Sequence, residues 1–390
     1  MSLNSKPPVG RRLSVIVASI AIGVAALAGC TAEDAGPKSD VDGTAIAAGL
    51  FSAEPCVPKD PAAVADIDGP ISGFTGYESE PGEWLTLPSS DELEGKRIAL
   101  TVMGLGQPFF LAVADHWETL AEEFGFEVTL YDGKFDAGTV QQIVYDIIVS
   151  KPDAVVFAPL DSDASVPQVQ KLLDAGLPTV TYNVQPREQA APRVFADDYL
   201  GSQLAGCNAG AYFAERFPED EAMIGVVDLP ELPQTADRKN GFLLGFLSQI
   251  PDATLVQAVD GGGVIDKANP AATDMLQANP EINVIFGIND DSSLGAMGAL
   301  KTANRYTGDW GVLAAIDGSR PALESMRDPN SPYKAESGYP PRDFAYASFN
   351  LLLATLAGDT TAQTQVVLGY PPIDPTVQGI DTWLSEQYPE

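Results

Sequence analysis

Six short stretches concentrate side chains able to bind or react: Gly104–Phe110, Pro159–Asp163, Asn183, Leu229–Arg238, Asn289–Asp291 and Asp317–Arg320. Together they offer amides, carboxylates, guanidinium groups and aromatic faces, but no lysine, cysteine or histidine. A nucleophile with a matching base is hard to assemble from that set. The chain has one histidine, His116, inside a helical pattern beside Trp117, where it reads as a packed or surface helix residue. That removes most triad and zinc chemistries. No Cys/His cluster has metal-ligand spacing, so neither a metal nor a cofactor is expected. Gly104 and Gly106 match the start of a dinucleotide fingerprint whose third glycine is missing. Gly261–Gly263 precedes a helix but reads as a loop rather than a phosphate cradle.

The elements that must position these residues alternate from Lys96 onward. Arg97–Met103 reads as a strand. In Phe109–Phe124, Phe110, Val113, Trp117, Leu120 and Phe124 recur at spacings of three and four, one apolar stripe of a helix that Gly125 would end. Strands are expected at Phe126–Tyr131, Ala154–Ala158, Pro178–Tyr182, Ala222–Val227, Thr254–Val259, Val284–Phe286 and Val312–Ile316. Helices are expected at Gly138–Val149, Val166–Ala175, Tyr199–Arg216, Thr235–Ser248, Lys267–Ala278 and Ser292–Ala303. Alternating βα units predict parallel sheets covered by helices on both faces. The roughly 295 residues from Lys96 onward exceed one core and suit two lobes. In open α/β sheets ligands bind beyond the carboxyl ends of the strands, which is where the six stretches fall.

The ends of the chain speak to its location. Lys6, Arg11 and Arg12 precede an apolar run from Leu13 to Leu27, too short and too rich in Ala and Gly for a membrane span. It reads as a signal peptide; Arg11-Arg12 hints at a twin-arginine signal, with poorly matching flanks. Leu27-Ala28-Gly29-Cys30 resembles a bacterial lipobox, which implies cleavage before Cys30 and a lipid on it. Ordinary cleavage with Cys30 incidental is the alternative. Ala32 to Gly49 is small and polar, the composition of a flexible tether. Loss of residues 1–29 removes three positive charges and no negative one, deepening a formal charge of −32. So acidic a chain argues against nucleic acid as a partner and favours solubility. Two cysteines remain, Cys56 and Cys207. In an exported protein they suggest one disulfide stapling the N-terminal extension to the body; two separate buried thiols are the other possibility.

Taken in order, Gln-Pro-Phe-Phe after the first strand, Pro-Leu-Asp-Ser-Asp after the third, Asn-Asp-Asp-Ser-Ser-Leu-Gly-Ala after a later one and Ile-Asp-Gly at 316–318 resemble the sugar-binding periplasmic proteins of ABC transporters. The ribose/galactose-binding branch is the nearest. The match runs from about Lys96 to Val367. Sugar-sensing repressors share the fold but begin with a helix-turn-helix, where this chain has the lipobox and tether. The resemblance implies an α/β protein of two Rossmann-like lobes, each a parallel sheet with helices on both faces, joined by a three-strand hinge. It implies a signal peptide at 1–29, tether and extension at 30–95, a first lobe of 96–196 plus 340–367, and a second of 197–339 plus 368–390. Asn289 and Asp317 fall at positions where the family binds sugar hydroxyls, and Arg238 matches the family's arginine. Asn183 stands where pentose binders have aspartate and hexose binders asparagine. Phe109 and Phe110 match an aromatic pair. Gln107 replaces a more usual asparagine, and Tyr339 stands near an expected glutamine, which leaves the sugar open.

The chemistry suits that ligand. A sugar offers vicinal hydroxyls and C–H faces. Arginine presents a fork of donors, aspartate two acceptors, and asparagine both, while a flat aromatic covers a C–H face. Phe109 is expected as that platform, with Phe110 shared between cleft and core; packing alone is the competing reading for both. For Asp317 and Arg238 the competing readings are a helix cap and an ion-paired charge. The expected protein is a monomeric, lipid-anchored, extracytoplasmic receptor that feeds an ABC permease and catalyses nothing. Alternatives are a binder of another polar molecule such as a polyol, nucleoside or signalling furanone; a glycosidase using Asp161, Asp163 or Asp291; and a surface scaffold without ligand.

Overall fold

Arg97–Val102 (β1) is apolar almost throughout, and all but its first residue are buried, the pattern of a parallel strand covered on both faces. The chain then turns into α1 (Pro108–Phe124), with proline in its first turn and Gly125 in the left-handed conformation that ends it. The structure is a computed structural model describing residues 50–70, 84–89, 91–184, 190–232, 235–358 and 365–388. The signal segment, Cys30 and the tether lie outside the described residues.

After α1 come β2 (Glu127–Asp132), α2 (Ala137–Ser150), β3 (Ala154–Phe157), α3 (Ser165–Asp174), β4 (Thr179–Tyr182) and β5 (Arg193–Ala196). The second series is α4 (Asp198–Arg216), β6 (Met223–Asp228), α5 (Thr235–Gln249), β7 (Thr254–Asp260), α6 (Ile265–Ala278), β8 (Val284–Gly287), α7 (Asp290–Thr302), β9 (Val312–Asp317), α8 (Arg320–Met326) and β10 (Tyr333–Gly338). The chain ends with α9 (Pro341–Leu356), β11 (Gln365–Leu368) and α10 (Val377–Gln387). Two parallel sheets result, in the orders β11-β5-β4-β3-β1-β2 and β10-β9-β8-β6-β7. Each is the sheet of one lobe.

Among the described residues the chain crosses between the lobes three times. The first crossing follows β5 at Asp197. The second follows β10 at Tyr339 and leads into α9, which packs on α1 and β4 of the first lobe. The third follows β11, whose last residue, Leu368, still pairs with Ala196. It leads to α10, where Trp383 Nε1 donates to Gly318 O of the second lobe at 2.7 Å. The last two crossings run side by side: Gly338 N donates to Pro371 O at 2.8 Å and Ile373 N to Glu336 O at 3.0 Å.

The extension touches both lobes. Ser52 exchanges backbone–amide hydrogen bonds with Asn208 on α4, and Lys59 Nζ donates to Gln249 O at the end of α5. The Cys56 and Cys207 sulfurs stand at bonding distance, 2.07 Å, with Cα atoms 5.7 Å apart. Farther along, Asn350 on α9 donates to Trp84 O and Thr86 O. His116 is a packed helix residue: it is buried, with its Nε2 2.9 Å from Gln387 O.

Candidate functional site

Asp317 closes β9 with φ 136°, a conformation non-glycine residues rarely hold. Strain of this kind costs about 1–3 kcal/mol and persists only where the surroundings enforce it. Here Tyr339 N donates to Asp317 O at 2.9 Å, and Asp290 N, the first amide of α7, reaches Asp317 Oδ2 at 3.4 Å. The other carboxylate oxygen, Oδ1, lies 3.7 Å from Arg238 Nη1. Burial pushes Asp317 well above the usual carboxylate range; Arg238 pulls the opposite way.

Arg238 stands on the first turns of α5. Its Nε donates to Asp198 Oδ1 at 2.7 Å, Nη1 to Ile288 O at 2.9 Å, and Nη2 to the Tyr370 hydroxyl at 3.4 Å. That hydroxyl donates onward to Asp198 Oδ1 at 2.6 Å. The guanidinium carbon lies 5.5 Å from the centre of the Tyr339 ring, within cation–π range. Burial opposes its charge, but Tyr370, Asp198 and Asp317 more than offset that and hold it charged. Each of the three lobe crossings thus gives one side chain to Arg238: Asp198 just after the first, Tyr339 in the second, Tyr370 in the third.

Aromatic rings continue from this cluster into the first lobe. Tyr370 meets Tyr339 at 4.8 Å and Tyr339 meets Phe109 at 4.6 Å, both with tilted rings, and Phe109 meets Phe110 edge-on at 4.9 Å. Phe109 also meets Phe344 at 5.5 Å and is 5% exposed. Phe110 is deeper and packs against Phe135. Asn183 directly follows β4 in the left-handed region, φ 72°, and its Oδ1 accepts from the Tyr339 hydroxyl at 3.0 Å.

Gln107 and Asn289 meet at one carbonyl. Gln107 of the first lobe donates through Nε2 to Gly263 O of the second at 3.0 Å, and Asn289 Nδ2 donates to the same oxygen at 3.0 Å. Asn289 Oδ1 also caps α7 by accepting from Ser292 N at 2.9 Å. The structure therefore brings Arg238, Asp317, Tyr339, Asn183 and Phe109 into one connected set, and Gln107 and Asn289 into a second. Phe110 lies behind Phe109. Among the carboxylates weighed for hydrolysis, Asp161 Oδ1 accepts from Asp163 N and Ala164 N at the start of α3.

Sequence reading missed Asp198 and Tyr370. Asp198 follows another aspartate at a helix start and looks like a first-turn acid. Tyr370 carried a clearer signal. Gly-Tyr-Pro-Pro occurs twice, at 338–341 and 369–372, and the two copies are the second and third crossings. Gly201 makes the approach possible, since a Cβ there would lie 2.2 Å from the Tyr370 ring.

A family model described as a periplasmic binding protein domain matches residues 98–360. The chain belongs to that family. It is 25% identical over 256 residues to the ribose import binding protein RbsB of Bacillus subtilis (strain 168), covering 65% of this chain and 80% of that protein. It is 31% identical over 225 residues to a D-ribose/D-allose-binding protein of Pseudomonas aeruginosa, covering 54% and 68%. A solute-binding protein of Actinobacillus succinogenes 130z with bound D-allose has the same fold, with a TM-score of 0.65, 21% identity, and coverage of 74% of this chain and 100% of that one.

Proposed function

We infer that this chain is an extracytoplasmic solute-binding protein that captures a monosaccharide between its lobes and delivers it to an ABC importer. The observation that carries this reading is the Arg238–Asp317 pair at the strand ends, set among residues from all three crossings. A charged fork of donors beside a carboxyl group recognises adjacent hydroxyls, and wiring to the crossings lets ligand contact bias lobe closure. Family membership and relatives named for ribose and allose support a sugar. Gln107, Asn183, Asn289, Phe109, Phe110 and Tyr339 complete the proposed site, with Asp198 and Tyr370 as positioning residues for Arg238. The chain acts by binding, without catalysis.

Leu27–Cys30 supports a lipid anchor on Cys30, and the approach of Cys56 to Cys207, with Cα atoms 5.7 Å apart, supports a disulfide between them in the exported, monomeric protein. Thermal melting against D-ribose, D-allose, D-apiose, L-arabinose, D-galactose and glycerol, beside a nucleoside panel, tests the sugar reading. A sugar should raise the melting temperature in a saturable way. A response confined to nucleosides, or none, would overturn it.

A further inference from the structure

Behind Asp317 lie two acids that the proposed site does not use. Asp290 and Glu336 are each 2% exposed, and the Tyr333 hydroxyl stands between them. Its oxygen is 2.7 Å from Asp290 Oδ1 and 2.5 Å from Glu336 Oε2. A phenol carries one proton and can donate it once. With both carboxyls ionised, one of these contacts would press lone pairs together with no proton between, out of reach of water. The arrangement closes when the three groups hold two protons. One carboxylic acid then donates to the phenol oxygen, and the phenol donates to the other carboxylate.

We propose that Asp290 and Glu336 share one retained proton through Tyr333, and that this pair positions Asp317. The second half rests on the reading that Asp317 meets ligand. The remaining oxygens of the pair hold the turn after it: Glu336 Oε1 accepts from Gly318 N at 3.1 Å and Asp290 Oδ2 from Ser319 N at 2.6 Å. These amides immediately follow the strained backbone of Asp317. Charged and titratable groups around the pair are Asp317 and Asp291, Tyr388 at the end of α10, Arg238 beyond Asp317, Arg320, which donates to Tyr388 O, and Lys334, buried on the same strand as Glu336. Burial pushes both acids above their usual range, with Asp290 adding to the shift at Glu336.

The sign of the pH effect follows. The native state holds a proton that the unfolded chain releases at about pH 4. Raising pH above that range therefore lowers stability, by about tenfold in the folding constant per pH unit for one proton, until the native proton also leaves.

The test is urea unfolding of the full chain from about pH 4 to about pH 8, with amide hydrogen exchange at Gly318 and Ser319 and no sugar present. Glu336→Gln and Asp290→Asn each place an amide donor where the acid stood and keep the oxygen that accepts the turn amide. Each should flatten the slope by one proton and leave exchange at both amides slow. Asp290→Asn/Glu336→Gln together aim two donors at one phenol oxygen and strand its proton, so the double variant should be less stable than either single one. Glu336→Leu should speed exchange at Gly318 about tenfold or more. If both single variants keep the wild-type slope, or the double variant matches them, the shared proton is refuted. If Glu336→Leu folds with exchange at Gly318 unchanged, the positioning role is refuted. Because no sugar enters, failure here is separate from failure of the sugar reading.

Discussion

Arg238 Nε and Asp198 Oδ1 are 2.7 Å apart, an ion pair joining α5 to the residue that follows the first lobe crossing. Both side chains are mostly buried, 14% and 19% exposed. Removing one partner leaves the other charge poorly solvated. Asp198→Ala should cost about 2–3 kcal/mol of stability, less than the cost of breaking a fully buried pair. Equilibrium urea unfolding checks it. A loss below about 0.5 kcal/mol would mean the pair behaves as an exposed one.

The Tyr370 hydroxyl joins the same pair and is itself buried. Tyr370→Phe keeps the ring against Tyr339 and removes only the oxygen. The expected destabilisation is about 1–2 kcal/mol. Combined with Asp198→Ala it should be less than additive, because the hydroxyl's acceptor has gone. A double-mutant cycle measures this, and strict additivity would contradict the shared network.

The fold was legible where apolar periodicity was strong. β1, α1 and the later βα pairs lie within a few residues of their expected bounds. β5 escaped notice because it follows β4 with no helix among the described residues between, outside the βα alternation, and β11 lies beyond the last expected element, Val312–Ile316. β10 escaped because Tyr-Lys-Ala-Glu-Ser-Gly is polar, yet all six residues are buried; Glu336 is satisfied by the non-local Gly318 and by Tyr333 on its own strand. Asp198 was invisible for the same reason, and Tyr370 was marked only by the repeated Gly-Tyr-Pro-Pro. Their role depends on chain crossings that bring residues 198, 238 and 370 together, and no local pattern encodes that.

Cys56 and Cys207 enclose a long loop, so a bridge between them should constrain the unfolded chain. The oxidised protein should show no free thiol at either position when unfolded without reductant. Cys56→Ser/Cys207→Ser should lower stability by about 2–4 kcal/mol. Two labelled thiols in the exported protein would contradict the bridge.

Burial and the nearby Asp290 push Asp291 up to about 6. Its folded value exceeds its unfolded one, so its contribution is present below about pH 4 and fades as pH rises to about 6. Asp291→Asn should remove that decline, a change of about 1–2 kcal/mol after allowing for partial exposure. Melting temperatures across this window check it; a parallel decline in the variant would contradict the assignment.

Isothermal titration of the wild-type chain, Arg238→Ala and Asp317→Ala with D-ribose, D-allose, D-apiose and L-arabinose tests the central claim most directly. A charge-assisted hydrogen bond contributes about 1.5–3 kcal/mol. At least one sugar should therefore bind the wild type, and each variant should bind it about 10- to 100-fold more weakly. No heat with any of these sugars, or equal affinity in wild type and both variants, would contradict a sugar site built on Arg238 and Asp317.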